Sequence, residues 1–178
     1  MSFEQLTIFK LFLNKIKIQN LDSSYWIQEI YNIQKQDTEN NKSNKVSNIG
    51  GYQSDADILQ NPIFYPLVQI LNNYIIDSFS NPNLRIKGMW CNISSQHHCN
   101  WHHSHSTNIT EDNISGVLYL QTPLNCGNIT FGHPYCFNLD IYSHIPSRNE
   151  LLMFDSRLVH RVEPNKSNED RISISFNT

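Results

Sequence analysis

Arg171-Ile172-Ser173-Ile174-Ser175-Phe176-Asn177 alternates polar and apolar residues without a break. Period two is the signature of a strand, so Ile172, Ile174 and Phe176 share one face and Arg171, Ser173 and Ser175 the other. The apolar face must be buried, and the two helices expected earlier in the chain are the natural cover. The polar face is either wet, as in half-buried antiparallel strands, or it looks into a barrel that holds a polar ligand.

Working outward, the same period runs through residues 84–94, 115–121, 127–131, 137–142, 150–154 and 158–162, with Pro, Asn and Gly between the runs. Short strands punctuated in this way predict a β sandwich or barrel. Before residue 84 the pattern is helical. Ser23 or Ser24 can cap a helix running to about Gln36, with Tyr25, Trp26, Ile30, Tyr31 and Ile33 as its apolar stripe. A longer helix is expected over 62–79, with Pro62 in its first turn and Phe64, Leu67, Ile70, Leu71, Tyr74 and Ile75 on one side. Residues 37–48 read as an exposed loop, Gly50-Gly51-Tyr52-Gln53-Ser54 as a turn and 55–59 as a short helical turn. Residues 5–18 fit one or two strands or a helix. A chain of 178 residues suits a single domain, here a helical support region over 1–83 and a β core over 84–178.

A net charge of −3 gives no basic surface, so direct nucleic-acid binding is not expected. No apolar run is long enough to span a bilayer and no secretory pattern is present, so the expectation is a soluble, intracellular (cytoplasmic) protein with no membrane partner. Cys91, Cys99, Cys126 and Cys136 match neither a zinc-site spacing nor a secreted disulfide framework, and read as reduced thiols.

The chemistry-bearing residues are His103-Ser104-His105, His160 fifty-seven positions after the first of these, and Arg171-x-Ser173. On strands, His103 and His105 would face one ion, and Arg171 and Ser173 one carboxylate. Non-haem iron oxygenases use two histidines and one carboxylate. No His-x-Asp or His-x-Glu occurs in this chain, so the nearest match is a face of three histidines. His97, His98, His102 and His144 read as exposed loop residues, and Trp90 and Trp101, flanking the expected cleft, as packing aromatics.

In order, Trp90-x-Asn92, His103-x-His105, Ser115-Gly116-Val117-x-Tyr119-Leu120, Phe154, His160-x-Val162-x-Pro164-Asn165 and the 171–177 stretch resemble the Fe(II)- and 2-oxoglutarate-dependent oxygenases, in particular a group common in marine bacteria and phages. The 50–54 turn is similar to a Gly-Trp-Gln-Ser stretch of that group. The resemblance implies a mainly β (α+β) double-stranded β-helix, a cupin-like jelly roll, with two helices outside one sheet. It implies His103, His105 and His160 as metal ligands for Fe(II). It implies Arg171, helped by Ser173, on the distal carboxylate of 2-oxoglutarate, with Tyr119 and Asn92 as further cosubstrate contacts. A buried arginine without an acid on its own strand needs such an anion. The activity implied is O2-dependent oxidation, most often hydroxylation, of a small molecule or protein side chain, releasing succinate and CO2. A viral protein acting in a host cytoplasm is within its scope.

The chain departs from the superfamily at two places. His105 stands where most members carry Asp or Glu, so either it is the second ligand or Glu111 or Asp112, in the long 106–114 segment, supplies the carboxylate. His133, before Pro134, replaces an expected acid and is either a substrate contact or loop surface. Two other readings remain open: a three-histidine iron dioxygenase that does not use 2-oxoglutarate, and a noncatalytic cupin-like binding domain. The loops over 37–48, 94–100 and 106–113 are expected to shape the entrance.

Overall fold

The computed structural model describes residues 11–40, 42, 47–106, 113–133 and 136–178, the side chains of 136–138 aside. In chain order it runs β1 (Leu13–Lys17), α1 (Ser24–Glu39), β2 (Asn48–Ile49), β3 (Tyr52–Gln53), two 3-10 turns (Ile58–Gln60 and Pro62–Phe64) and α2 (Tyr65–Phe79). The strands β4 (Gly88–Ser94), β5 (Cys99–His103), β6 (Ile114–Gln121), β7 (Ile129–His133), β8 (Cys136–His144), β9 (Glu150–Asp155), β10 (His160–Val162) and β11 (Arg171–Asn177) follow.

The strands form two antiparallel sheets, a six-stranded one in the order β1-β9-β6-β11-β4-β3 and a five-stranded one in the order β2-β5-β10-β7-β8. Alternation sorts the larger sheet into two faces. Met89, Cys91, Ile93, Leu118, Leu120, Leu151, Met153, Ile172, Ile174 and Phe176 form one cluster with Trp26 and Ile30 of α1 and Leu67, Leu71 and Ile75 of α2. Each such side chain contributes about 1.5–3 kcal/mol by leaving water. The Trp26 indole N–H donates to the Ile63 carbonyl at 3.1 Å, tying α1 to the turn before α2. On the opposite face Val117, Tyr119, Leu152 and Phe154 meet Ile129 and Phe131 of the smaller sheet, which is the interior of a jelly roll.

The 171–177 strand falls where its alternation placed it, inside the larger sheet between β6 and β4. Other boundaries differ from the sequence reading. Helix α1 continues to Glu39, past the expected end at Gln36 and into the segment read as loop. The segment left open between strand and helix carries strand β1, paired with β9. The stretch read as a turn contains β3, and β2 precedes it, the two flanking Gly50 and Gly51. Gly50 has φ +79°, a left-handed conformation that a glycine adopts without a Cβ penalty. β5 had no counterpart in the pattern because its side chains are half-exposed, and non-local pairing with β10 and β2 fixes it instead. Among the described residues no helix is long and apolar enough to cross a membrane.

Candidate active site

β5 and β10 pair with His103 directly opposite His160, which brings the two rings to a centroid separation of 4.2 Å. The His105 ring lies 5.1 Å from each of them. One ligand atom from each ring lies within 4.8 Å of the other two, so the group can hold a metal ion. His103 Nδ1 is 2.7 Å from the Trp101 carbonyl and His160 Nδ1 is 2.9 Å from the Leu158 carbonyl. A carbonyl only accepts, so both Nδ1 atoms carry the proton and both Nε2 atoms the lone pair an ion needs, that of His103 with the Ser47 hydroxyl 3.5 Å away.

His105 does not share the strand. β5 ends at His103, and the expected same-face geometry gives way to a main-chain anchor in which the amide N–H groups of His105 and Ser106 both donate to the Ser156 carbonyl, at 2.8 and 3.1 Å. Ser156 is itself fixed by the Ser115 hydroxyl, which donates to its Oγ at 2.8 Å. The Trp90 indole lies 5.5 Å from the His105 ring, and Phe154 packs edge-on to His160. Burial lowers the pKa of all three imidazoles, His105 to about 4 and His160 well below the usual value, its two imidazole neighbours adding to the effect. They are therefore neutral at pH 7, the form that ligates a metal.

The second half of the site is built on β11 and its neighbours. Arg171 is 4% exposed, its Nη1 donates to the Cys126 carbonyl at 3.0 Å, and among the described residues no carboxylate pairs with it. Burial lowers its pKa, and a buried guanidinium with unused donors calls for an anion. One residue pair further along, the registers align Tyr119 of β6, Ser173 of β11, Asn92 of β4 and Gln53 of β3 as a row of polar side chains across four strands. Tyr119 is buried, and that burial raises its phenol pKa against the pull of Arg171. Asn92 Nδ2 donates to Ser175 Oγ at 3.1 Å.

A cavity of about 270 Å³ has His103, His105, His160, Arg171, Ser173, Tyr119 and Asn92 all in its wall. The seven metal-ligand and cosubstrate residues that the resemblance implies thus line one space. The acidic alternatives Glu111 and Asp112 lie outside the described residues. Trp90, read as packing, lines the cavity, whereas Trp101 is 67% exposed. His144, read as exposed, is buried on β8 with Nε2 2.7 Å from Glu150 Oε2. His97 and His102 are exposed, His98 is half-buried with its Nδ1 accepting from the Ser95 amide at 3.2 Å, and His133 ends β7 away from the cavity. Gln53 and Ser54 also line the cavity and were read only as turn residues. Their similarity to the Gly-Trp-Gln-Ser stretch was the signal that could have found them.

Residues 137–177 match the family described as "Putative 2OG-Fe(II) oxygenase". That segment contains His160, Arg171 and Ser173, so the match and the resemblance read from the sequence coincide there. No curated protein matches the sequence. Among solved structures, a Pseudomonas putida prolyl-4-hydroxylase is similar at TM-score 0.65 and 14% identity, over 93% of this chain and 91% of that one. The viral collagen prolyl hydroxylase of Paramecium bursaria Chlorella virus-1, in its 2-oxoglutarate complex, is similar at TM-score 0.61 and 12% identity, over 93% and 94%. HygX from Streptomyces hygroscopicus, with nickel and 2-oxoglutarate bound, is similar at TM-score 0.63 and 10% identity, over 93% and 81%. At such identities the likeness is one of fold, and the fold is the jelly roll expected from the sequence.

Proposed function

We propose that this chain, which carries the 2OG-Fe(II) oxygenase sequence match on the oxygenase fold, is an Fe(II)- and 2-oxoglutarate-dependent dioxygenase that hydroxylates its substrate and releases succinate and CO2. The observation that carries the reading is the shared cavity, with three neutral imidazoles at one place in its wall and, at another, a buried guanidinium that pairs with no carboxylate among the described residues. The donor set fits the group it would hold, since nitrogen ligands suit iron and the two fixed Nδ1–H groups orient the rings before any ion arrives.

His103, His105 and His160 would hold Fe(II), which supplies the dioxygen chemistry when bound with 2-oxoglutarate. The protein's part is positioning. Arg171 would grip the distal carboxylate of 2-oxoglutarate with its planar fork, and the Ser173 and Tyr119 hydroxyls and the Asn92 amide border the same space. Phe154, Val117 and Ile129 give that space an apolar wall that limits water. His105 in place of an acid keeps alive the reading of a three-histidine dioxygenase that does not use 2-oxoglutarate.

Anaerobic titration with Fe(II) and 2-oxoglutarate separates these readings, because the chelate has a weak visible charge-transfer band and turnover yields succinate. His160→Ala is expected to abolish Fe(II) binding. Arg171→Ala is expected to spare the metal and weaken 2-oxoglutarate by about 30-fold or more, the loss of one desolvated charge pair. Unchanged 2-oxoglutarate affinity in Arg171→Ala would show that the cosubstrate assignment is wrong.

A further inference from the structure

Gln53 is 8% exposed in the cavity wall, and its side-chain amide has no hydrogen-bond partner among the described residues. Its donor and acceptor atoms are not sealed off from that space, so both are open to a ligand there. Its neighbour Ser54 is fully employed in scaffolding, its hydroxyl donating to the Asp55 carbonyl at 2.9 Å and accepting from the Cys91 amide at 3.0 Å. Gln53 sits in the same cross-strand row as Ser173, two strands away, or roughly 10 Å at the usual strand spacing. It is therefore beyond the groups assigned to the dicarboxylate. Asn92 lies between them, and Trp90, one residue pair along β4 on the same face, places its ring 5.5 Å from that of His105.

We propose that Gln53 and Trp90 form a substrate subsite for an uncharged, polyhydroxylated small molecule, which they hold beside the three histidines. The role as substrate subsite rests on the oxygenase reading given above. Amides offer a donor and an acceptor together, as each substrate hydroxyl does, and an indole face covers the C–H face of a ring. Charged substrates are disfavoured because Arg171 is the only charged side chain among the described lining residues. With Arg171 taken by the 2-oxoglutarate carboxylate, no charged side chain among the described lining residues is left to pair with a substrate's charge. The main chain of β4, β6, β11, β5 and β10 is paired on both sides, so among the described lining strands an extended peptide would find only the two-residue edge strand β3 to pair with.

The test is ligand-observed saturation-transfer NMR on the full chain with Zn(II) and 2-oxoglutarate. The probes are myo-inositol and methyl α-D-glucoside, their charged counterparts glucose 6-phosphate and glucosamine, and a blocked Gly-Pro-Gly peptide. The neutral polyols are expected to bind, and Gln53→Leu, of similar size, to weaken them about tenfold, the value of one hydrogen bond. Trp90→Ala should weaken them as well and serves if the leucine variant does not fold. Failure of both polyols to bind, preference for a charged probe or the peptide, or polyol binding unchanged in Gln53→Leu overturns the subsite. The iron–2-oxoglutarate chelate band is followed in parallel. A band without polyol binding sinks the subsite and leaves the oxygenase reading standing; Gln53-dependent polyol binding without a band does the reverse.

Discussion

In the proposed reading a neutral imidazole at position 105 stands where a carboxylate is usual, so among the described residues a bound divalent ion would have no negative protein ligand. His105→Asp is expected to tighten Fe(II) by about tenfold, the scale on which ligand-shell changes act on metal affinity, because the carboxylate offsets one charge of the ion. Anaerobic Fe(II) titration reads the change. Loss of Fe(II) binding would mean that the Ser156-anchored main chain holds position 105 too far out for the shorter side chain, and that the imidazole's reach is the reason for its presence. At this scale His160 and Arg171 were legible in the sequence because residue chemistry and strand periodicity together place them, and His103 through residue chemistry and spacing alone. Gln53 was not, because its direction depends on the pairing of a two-residue strand with β4, a contact some forty positions away. Nor was His144, whose burial depends on Glu150 across the β8–β9 turn.

The central strand β11 is packed by an arrangement that tolerates no extra atom. Phe176 lies opposite Gly116 of β6, and a Cβ built on Gly116 would come within 2.2 Å of the Phe176 Cζ. Gly116→Ala is therefore expected to destabilise the fold by about 1–3 kcal/mol, the usual cost of overpacking a buried site. Chemical denaturation measures it, and Phe176→Leu in the same chain should recover part of the loss; additive effects of the two changes would refute the contact as the cause. Strands of this kind announce themselves, since β4, β6, β9 and β11 carry the apolar side chains that cover the helices. β5 has no such signature. Its Asn100, Trp101, His102 and His103 are set by where β2 and β10 run, so a strand that bears a metal-site histidine is the one least visible in the pattern.

Enclosing one buried and two half-buried neutral imidazoles inside one domain couples the stability of the whole molecule to pH. In the unfolded chain each histidine titrates near 6.5, whereas in the folded chain His105 titrates at about 4 and His103 and His160 are also shifted downward. Between about pH 6.5 and 4 the unfolded chain consequently binds more protons than the folded one. Stability rises with pH across that window and is lost as pH falls through it, at up to about 4 kcal/mol per pH unit if all three groups contribute fully. Metal-free protein should thus melt at progressively lower temperature from pH 7 to pH 5. His160→Leu, which removes one of the three proton acceptors, should make that decline shallower by about a third. Above pH 6.5 the rings are already neutral, so Fe(II) displaces no proton from them and its affinity should be independent of pH there. A melting temperature that stays level down to pH 5 in the metal-free protein would mean that the imidazoles are open to water in solution. The preorganised, desolvated metal site on which the catalytic reading depends would then not exist.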